Sequence, residues 1–150
     1  MAVNVQLSRK CMYALQAMFE LAFRKAKGPV KVQDIASAQA IPQRFLEVIL
    51  AELKHGSFVE SKRGNAGGYF LARPAEQISV GEVIGFLEGY KFGDPKTQLP
   101  SLKRTGAFAF ARLWQDINAA TSRIYSGTMF TDLVKHELET RGILMADYAI

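Results

Sequence analysis

Gln43, Arg44 and Glu47 stand close together, directly after Ile41-Pro42. An arginine offers a planar fork of donors, a glutamine both donor and acceptor, and a carboxylate acceptors only. Such groups suit directional recognition of flat partners that present hydrogen-bonding edges. A second set is Lys62-Arg63-Gly64-Asn65-Ala66-Gly67-Gly68, two cations followed by residues that tolerate positive φ. Its chemistry is attraction of a polyanion to a backbone that can come close. Nothing comparable points to bond-making. The two histidines are His55, at a helix end, and His136, between Lys135 and Glu137. No Ser/His/Asp arrangement or metal-ligand spacing accompanies them. Residues 64–68 lack the Lys-Ser/Thr and the following helix of a phosphate-binding loop. An enzyme is not expected. The single cysteine, Cys11, excludes an intrachain disulfide and a thiolate metal cage within one chain.

Short elements position these groups. Ser8 is a good N-cap for an amphipathic helix to about Lys25, with Met12, Leu15, Phe19 (or Met18) and Ala22 at helical spacing. Gly28-Pro29 stops it, and Val30-Lys31-Val32 reads as an edge strand. Gln33 to Ala40 is a two-turn helix with Ile35 and Ala36 inward. Pro42, placed at a first helical position, starts a third helix to His55. Phe45, Leu46, Ile49, Leu50 and Leu53 form its buried stripe, and Gly56 ends it. Phe58 to Ser61 and Tyr69 to Ala72 are strand-like and flank the glycine-rich loop as a hairpin. Ser79 caps a fourth helix ending at Gly89. Residues 90–105, with Gly93, Pro95 and Pro100, form a loop. Phe110, Leu113, Trp114, Ile117, Ala120 and Ile124 then mark a long amphipathic helix over 106–126, and Thr128 caps a last helix holding Phe130, Leu133, Val134 and Leu138.

The charge is divided unevenly along the 150 residues. Residues 1–73 carry eleven Lys/Arg against five Asp/Glu, a net +6; the remainder carries eight against nine, a net −1, which together give the chain's +5. The first half is therefore the part drawn to a polyanion. Composition is 49% apolar and 22% charged, as in folded soluble domains. No apolar run is long enough to span a bilayer, and Met1 to Val5 shows no secretion signal. A cytoplasmic location and no membrane partner are expected.

Three helices followed by a two-stranded hairpin with a basic tip is the order of a winged helix-turn-helix. The fold expected is mainly α with a small β-hairpin, a DNA-binding domain over 1–89, a sensor-type loop over 90–105, and a dimerisation helix with a C-terminal helix over 106–150. The third helix would enter the major groove of double-stranded DNA. There arginine suits guanine, glutamine suits adenine, and glutamate accepts from the cytosine amino group. Arg63 would suit a narrow minor groove, whose deepened negative potential attracts such a side chain.

The chain resembles the IscR/NsrR/CymR-type bacterial repressors, the Rrf2 family. The resemblance rests on Leu7-Ser8-Arg9-Lys10, Tyr13-Ala14-Leu15, Asp34-Ile35-Ala36, Ile41-Pro42 and Phe45 to Leu50. Most specific are Ser61 to Gly64, Gly67 to Arg73, and Ile78 to Val83. It implies a homodimeric repressor clasped by the helix near 106–126 on a near-palindromic operator. It implies also that Glu47 reads bases and that Arg63 lies in the minor groove. The candidate DNA-contacting set is Ser8, Lys10, Tyr13, Pro42, Gln43, Arg44, Glu47, Lys62, Arg63, Gly64, Gly67, Gly68 and Tyr69. The candidate dimerisation set is Phe110, Leu113, Trp114, Ile117 and Ile124. The alternative is a winged-helix protein-interaction module or ligand sensor with little DNA binding of its own.

The chain departs from the family at one functional point. Many members hold an iron–sulfur cluster on three cysteines in the loop after the fourth helix, and residues 91–100 contain none. Thiolates hold such clusters, so no cofactor is expected. Two sensing routes remain open. One is a small-molecule or protein effector near Tyr90, Phe92, Phe108 and Trp114. The other is Cys11, whose neighbours Arg9 and Lys10 and helix N-terminus would lower a thiol pKa; its alternative is an inert buried side chain. Protein purified without oxygen should therefore show no visible absorption band and no stoichiometric iron and sulfide. A strong band with matching iron and sulfide would overturn this.

Overall fold

A computed structural model describes residues 7–24, 27–89 and 103–148. The elements run α1 (Arg9–Phe23), α2 (Val32–Gln39), α3 (Gln43–His55), β1 (Val59–Lys62), β2 (Gly68–Leu71), α4 (Val80–Glu88), α5 (Ala107–Gly127) and α6 (Phe130–Tyr148). Tyr90 and Phe92 lie outside the described residues.

α1 begins where Ser8, in extended backbone, accepts the Cys11 N–H through its hydroxyl. Its buried face is Cys11, Ala14, Ala17, Met18, Leu21 and Ala22, which keeps Met18 and Ala22 of the stripe read from periodicity but not Met12, Leu15 and Phe19. Met12 is exposed, and Leu15 and Phe19 are only partly buried. The reason is tertiary: α2, α3, α4 and α6 all pack on α1, and the face turned to them is the one that is buried. Glu20 is buried on the same helix. It accepts from Arg24 Nε at 2.5 Å and from Gln39 Nε2 at 2.6 Å, so its charge is compensated and α2 is tied to α1.

The turn between α2 and α3 is tight. Ala40 takes a left-handed conformation with φ 52°, and the Ile41 N–H reaches back to the Ala36 carbonyl at 3.0 Å. Pro42 stands just before the first residue of α3 rather than at it. Leu46, Ile49, Leu50 and Leu53 are buried as expected. Phe45 is not: it is 64% exposed, and Val48 is 58% exposed. The aromatic ring flanks the stripe rather than belonging to it.

β1 and β2 pair antiparallel, with Val59 opposite Leu71 and Lys62 opposite Gly68. The expected strand at 30–32 is reduced to one bridge, in which Val30 and Tyr69 exchange both hydrogen bonds at 2.8 Å. Lys31 already precedes α2, and Val32 belongs to it. A Cβ on Gly68 would lie 2.4 Å from the Val30 carbonyl oxygen, so glycine is what admits this bridge.

α4 is closed by a reciprocal cap. Ser79 Oγ accepts the Glu82 N–H at 3.0 Å, and the Glu82 carboxylate accepts the Ser79 N–H at 2.8 Å. α5 packs on α4 at its C-terminal end, where Gly81 lies against Tyr125 and Ser126. The expected cap at Thr128 is corrected: its hydroxyl donates back to the Ile124 carbonyl at 2.7 Å, while Asp132 accepts the Met129 N–H at 2.8 Å. Backbone bonds from Val80 to Thr128 and from Phe130 to Ile78 fasten the α5–α6 junction to the chain before α4. Phe130 is fully buried, so the first turn of α6 completes the core around α1.

Burial alone would raise the Glu82 carboxyl. The Ser79 N–H and the Arg73 guanidinium outweigh it and hold the carboxyl below its usual value of 4.5. A depressed folded pKa stabilises above the unfolded value and is lost as pH falls through the folded one. Glu82→Gln should therefore be less stable than the parent at pH 7. Chemical denaturation should show the gap narrowing below about pH 4.5; a pH-independent gap would contradict the role.

Candidate nucleic-acid interface

Two supports meet around α3. Lys10 on α1 reaches Glu52 at 3.0 Å, and Lys54 donates to Ser61 on β1 at 2.7 Å. Exposed pairs of this kind contribute little stability, about 0–1 kcal/mol, but they refine the rotation of α3 against α1 and the wing. Gln43 Nε2 donates to Glu47 Oε1 at 3.3 Å, on the side of the helix that also carries Lys54. Arg44 is exposed and, among the described residues, carries no ion pair. The α3 N-terminus has no side-chain cap, so its first amides are not satisfied by a side chain.

The wing tip exposes Lys62, Arg63 and Gly64, and neither cation is ion-paired among the described residues. The glycines have distinct reasons. Gly64 has φ 107° in open space, whereas a Cβ on Gly67 would lie 2.2 Å from the Lys62 carbonyl oxygen. Gly67 and Gly68 thus serve the hairpin's own packing. Tyr69 is half-buried in the Val30 bridge and packs on the core, as Tyr13 does. Pro42 is exposed at the start of α3.

Ser8 is engaged inside the chain. Its N–H donates to Glu88 Oε1 at 3.2 Å and its hydroxyl donates to the same oxygen, linking the α1 N-terminus to the last residue of α4. Cys11 lies beneath this link and is fully buried. Burial pushes its thiol up to about 12, Glu88 adds to the rise through its charge and a hydrogen bond, and Lys10 opposes it. Of the two readings of Cys11, the buried side chain is the one the structure gives and the lowered, reactive thiol is not: the nearby cations face solvent, while the sulfur faces the core and a carboxylate. Glu88 and Glu52, which hold the α1 N-terminus and Lys10, were not singled out in the sequence, because their partners lie 80 and 42 residues away. Val48 and Ala51 were missed as outward residues of α3. Their signal was in plain view, since both stand off the buried stripe.

Residues 7–136 match the Rrf2 family, described as an iron-dependent transcriptional regulator. The chain belongs to this family. It is 31% identical to the transcriptional regulator IscR of Sodalis glossinidius over 134 residues, covering 89% of this chain and 81% of that protein. A candidate helix-turn-helix regulator of Mycobacterium tuberculosis is 33% identical over 144 residues, covering 95% of this chain and 89% of its own. Among solved structures, CymR of Bacillus subtilis, a global cysteine regulator, superposes with a TM-score of 0.77 at 28% identity, over 88% of this chain and 98% of that one. T. potens IscR gives 0.74 at 30% identity, over 93% of each chain. The winged helix-turn-helix class is thereby established, and this Rrf2 protein is a DNA-binding regulator rather than an enzyme. No helix among the described residues is long and apolar enough to cross a membrane.

A cysteine-held iron–sulfur cluster does not fit this member. Its one cysteine is sealed in α1 with a raised pKa, and no group of three His, Cys, Asp or Glu side chains among the described residues could hold a metal. The thiol's neutral form is favoured by folding, so stability from this site is present below pH 9 and is lost as pH rises toward 12. Iodoacetamide at pH 8 should label Cys11 slowly in the native protein and rapidly in guanidinium. Native labelling at the rate of a free thiol, read by intact mass, would contradict the buried assignment.

Proposed function

We propose that this Rrf2 protein acts as a homodimeric repressor that reads a palindromic operator, with one α3 in the major groove of each half-site and Arg63 of each wing in the flanking minor groove. The observation that carries the reading is the conjunction of unpaired Arg44, Lys62 and Arg63 with exposed polar groups on an α3 whose rotation is refined from both sides. Arg44 is suited to guanine, and the Gln43–Glu47 pair to adenine and to the cytosine amino group. The uncapped α3 amides favour an adjacent phosphate. Ser8 and Lys10 sit at the edge of this face, and Tyr13, Gly67, Gly68 and Tyr69 act by holding its shape.

Dimerisation is supported by α5, of which only Ala107 is fully buried. Phe110, Leu113, Trp114 and Ile124 are exposed, Ile117 is half-buried, and the Phe110 and Trp114 rings stack at 6.1 Å. A contiguous apolar face of this length calls for a partner, and a second copy gives the two-fold symmetry that a palindrome mirrors. Half-sites should then lie about one helical turn, roughly 34–36 Å, apart. The chain would work without an iron–sulfur cluster, taking its signal from a small-molecule or protein effector at the segment that follows α4.

Selection of bound duplexes from a random pool should enrich one palindrome, with affinity falling steeply with salt. Arg63→Ala should cost about 1–3 kcal/mol of binding, and Glu47→Ala should relax base preference more than it lowers affinity. Enrichment of no sequence, or both variants binding random and selected duplexes like the parent, would defeat the reading.

A further inference from the structure

α3 presents three faces. Leu46, Ile49, Leu50 and Leu53 point into the core. Gln43, Glu47 and Lys54 lie toward the wing, fixed by the Lys54–Ser61 contact, while Glu52 and Phe45 lie toward α1, fixed by the Lys10–Glu52 pair. At 100° per residue, the ridge midway between these flanks is Arg44, Val48, Ala51 and His55, and all four are exposed. Its centre is apolar. Val48 stands 58% exposed. A β-branched residue on an exposed helix face is a poor choice on propensity grounds.

Resting on the proposed operator reading, we infer that Val48, with Ala51 one turn on, is a specificity residue that recognises the C5-methyl group of thymine on the floor of the major groove. That methyl is the one apolar group a base pair displays there. The surroundings favour a groove over a protein partner. The apolar centre is flanked by Arg44, Lys54 and Lys10, with Lys62 and Arg63 beyond on the wing, cations that complement the phosphates lining a groove. Val48 thereby separates T·A from C·G at a position where Gln43, Arg44 and Glu47 make no hydrogen bond.

The test uses the full-length protein and the duplex that selection yields. Each thymidine is replaced singly by deoxyuridine, which removes the methyl and nothing else, and binding is read by fluorescence anisotropy at fixed salt. One position in each half-site should lose about three- to tenfold in affinity, the order expected for one methyl removed from an apolar contact. Val48→Ala, at an exposed site, should fold like the parent by circular dichroism. It should bind thymidine and deoxyuridine duplexes equally at that position while keeping its preferences elsewhere; Val48→Ile should keep the penalty. A flat deoxyuridine scan with a clear operator overturns this inference alone, and so does a penalty that persists in Val48→Ala. If no operator emerges, the reading of sequence and the inference fall together.

Discussion

Burying Leu46, Ile49, Leu50 and Leu53 against α1 removes the freedom of α3 to turn about its own axis. Truncating a leucine so placed ordinarily costs about 2–5 kcal/mol, far more than the exposed pairs around it contribute. The apolar stripe therefore decides the rotation, and the Lys10–Glu52 and Lys54–Ser61 contacts refine it from either side. Every group on α3 proposed to read DNA inherits its direction from that burial. A quarter-turn of α3 would exchange Arg44 and Val48 for a flank and leave the buried leucines in water.

The wing is held by a different force. Its sheet has only two strands, too few to be stable alone, and a third contact comes from Val30, whose paired hydrogen bonds to Tyr69 join the hairpin to the chain entering α2. Gly68 is the condition for that contact, since any side chain would strike the Val30 carbonyl. The basic tip is thus carried on a base connected to both helices of the helix-turn-helix. Folding places Arg44 of α3 and Lys62 and Arg63 of the wing on one support with no ion pair to neutralise them among the described residues.

At the other end of α1, one carboxylate gathers three roles. Glu88 accepts from the backbone and hydroxyl of Ser8 and from the thiol of Cys11, at the last residue of α4. The N-terminus of α1 is thereby coupled to the C-terminal end of α4. The α5–α6 junction is likewise tied by backbone hydrogen bonds to residues 78–80, so the apolar α5 projects from a fastened end.

Much of this was legible in the residues alone. Capping serines at 8 and 79, the glycine stops at 56 and 89, the stripe of α3 and the glycine-rich hairpin are local signals, and local chemistry decides them; α1 instead ends at Phe23, ahead of the expected stop at Gly28. The concentration of positive charge in the first 73 residues and the lack of loop cysteines are counts that folding cannot change. What periodicity cannot supply is which neighbour covers a face. The phase of α1, the outward stance of Phe45, and the place of Phe130 in the core were decided by the size and position of elements distant in sequence. The state of Cys11 is the sharpest case. Its sequence neighbours are cations that lower a thiol pKa, yet burial and a carboxylate 77 positions away raise it to about 12. Sequence proximity places charges along a chain, whereas solvent exclusion, which only the packed structure creates, determines which of them a buried atom feels.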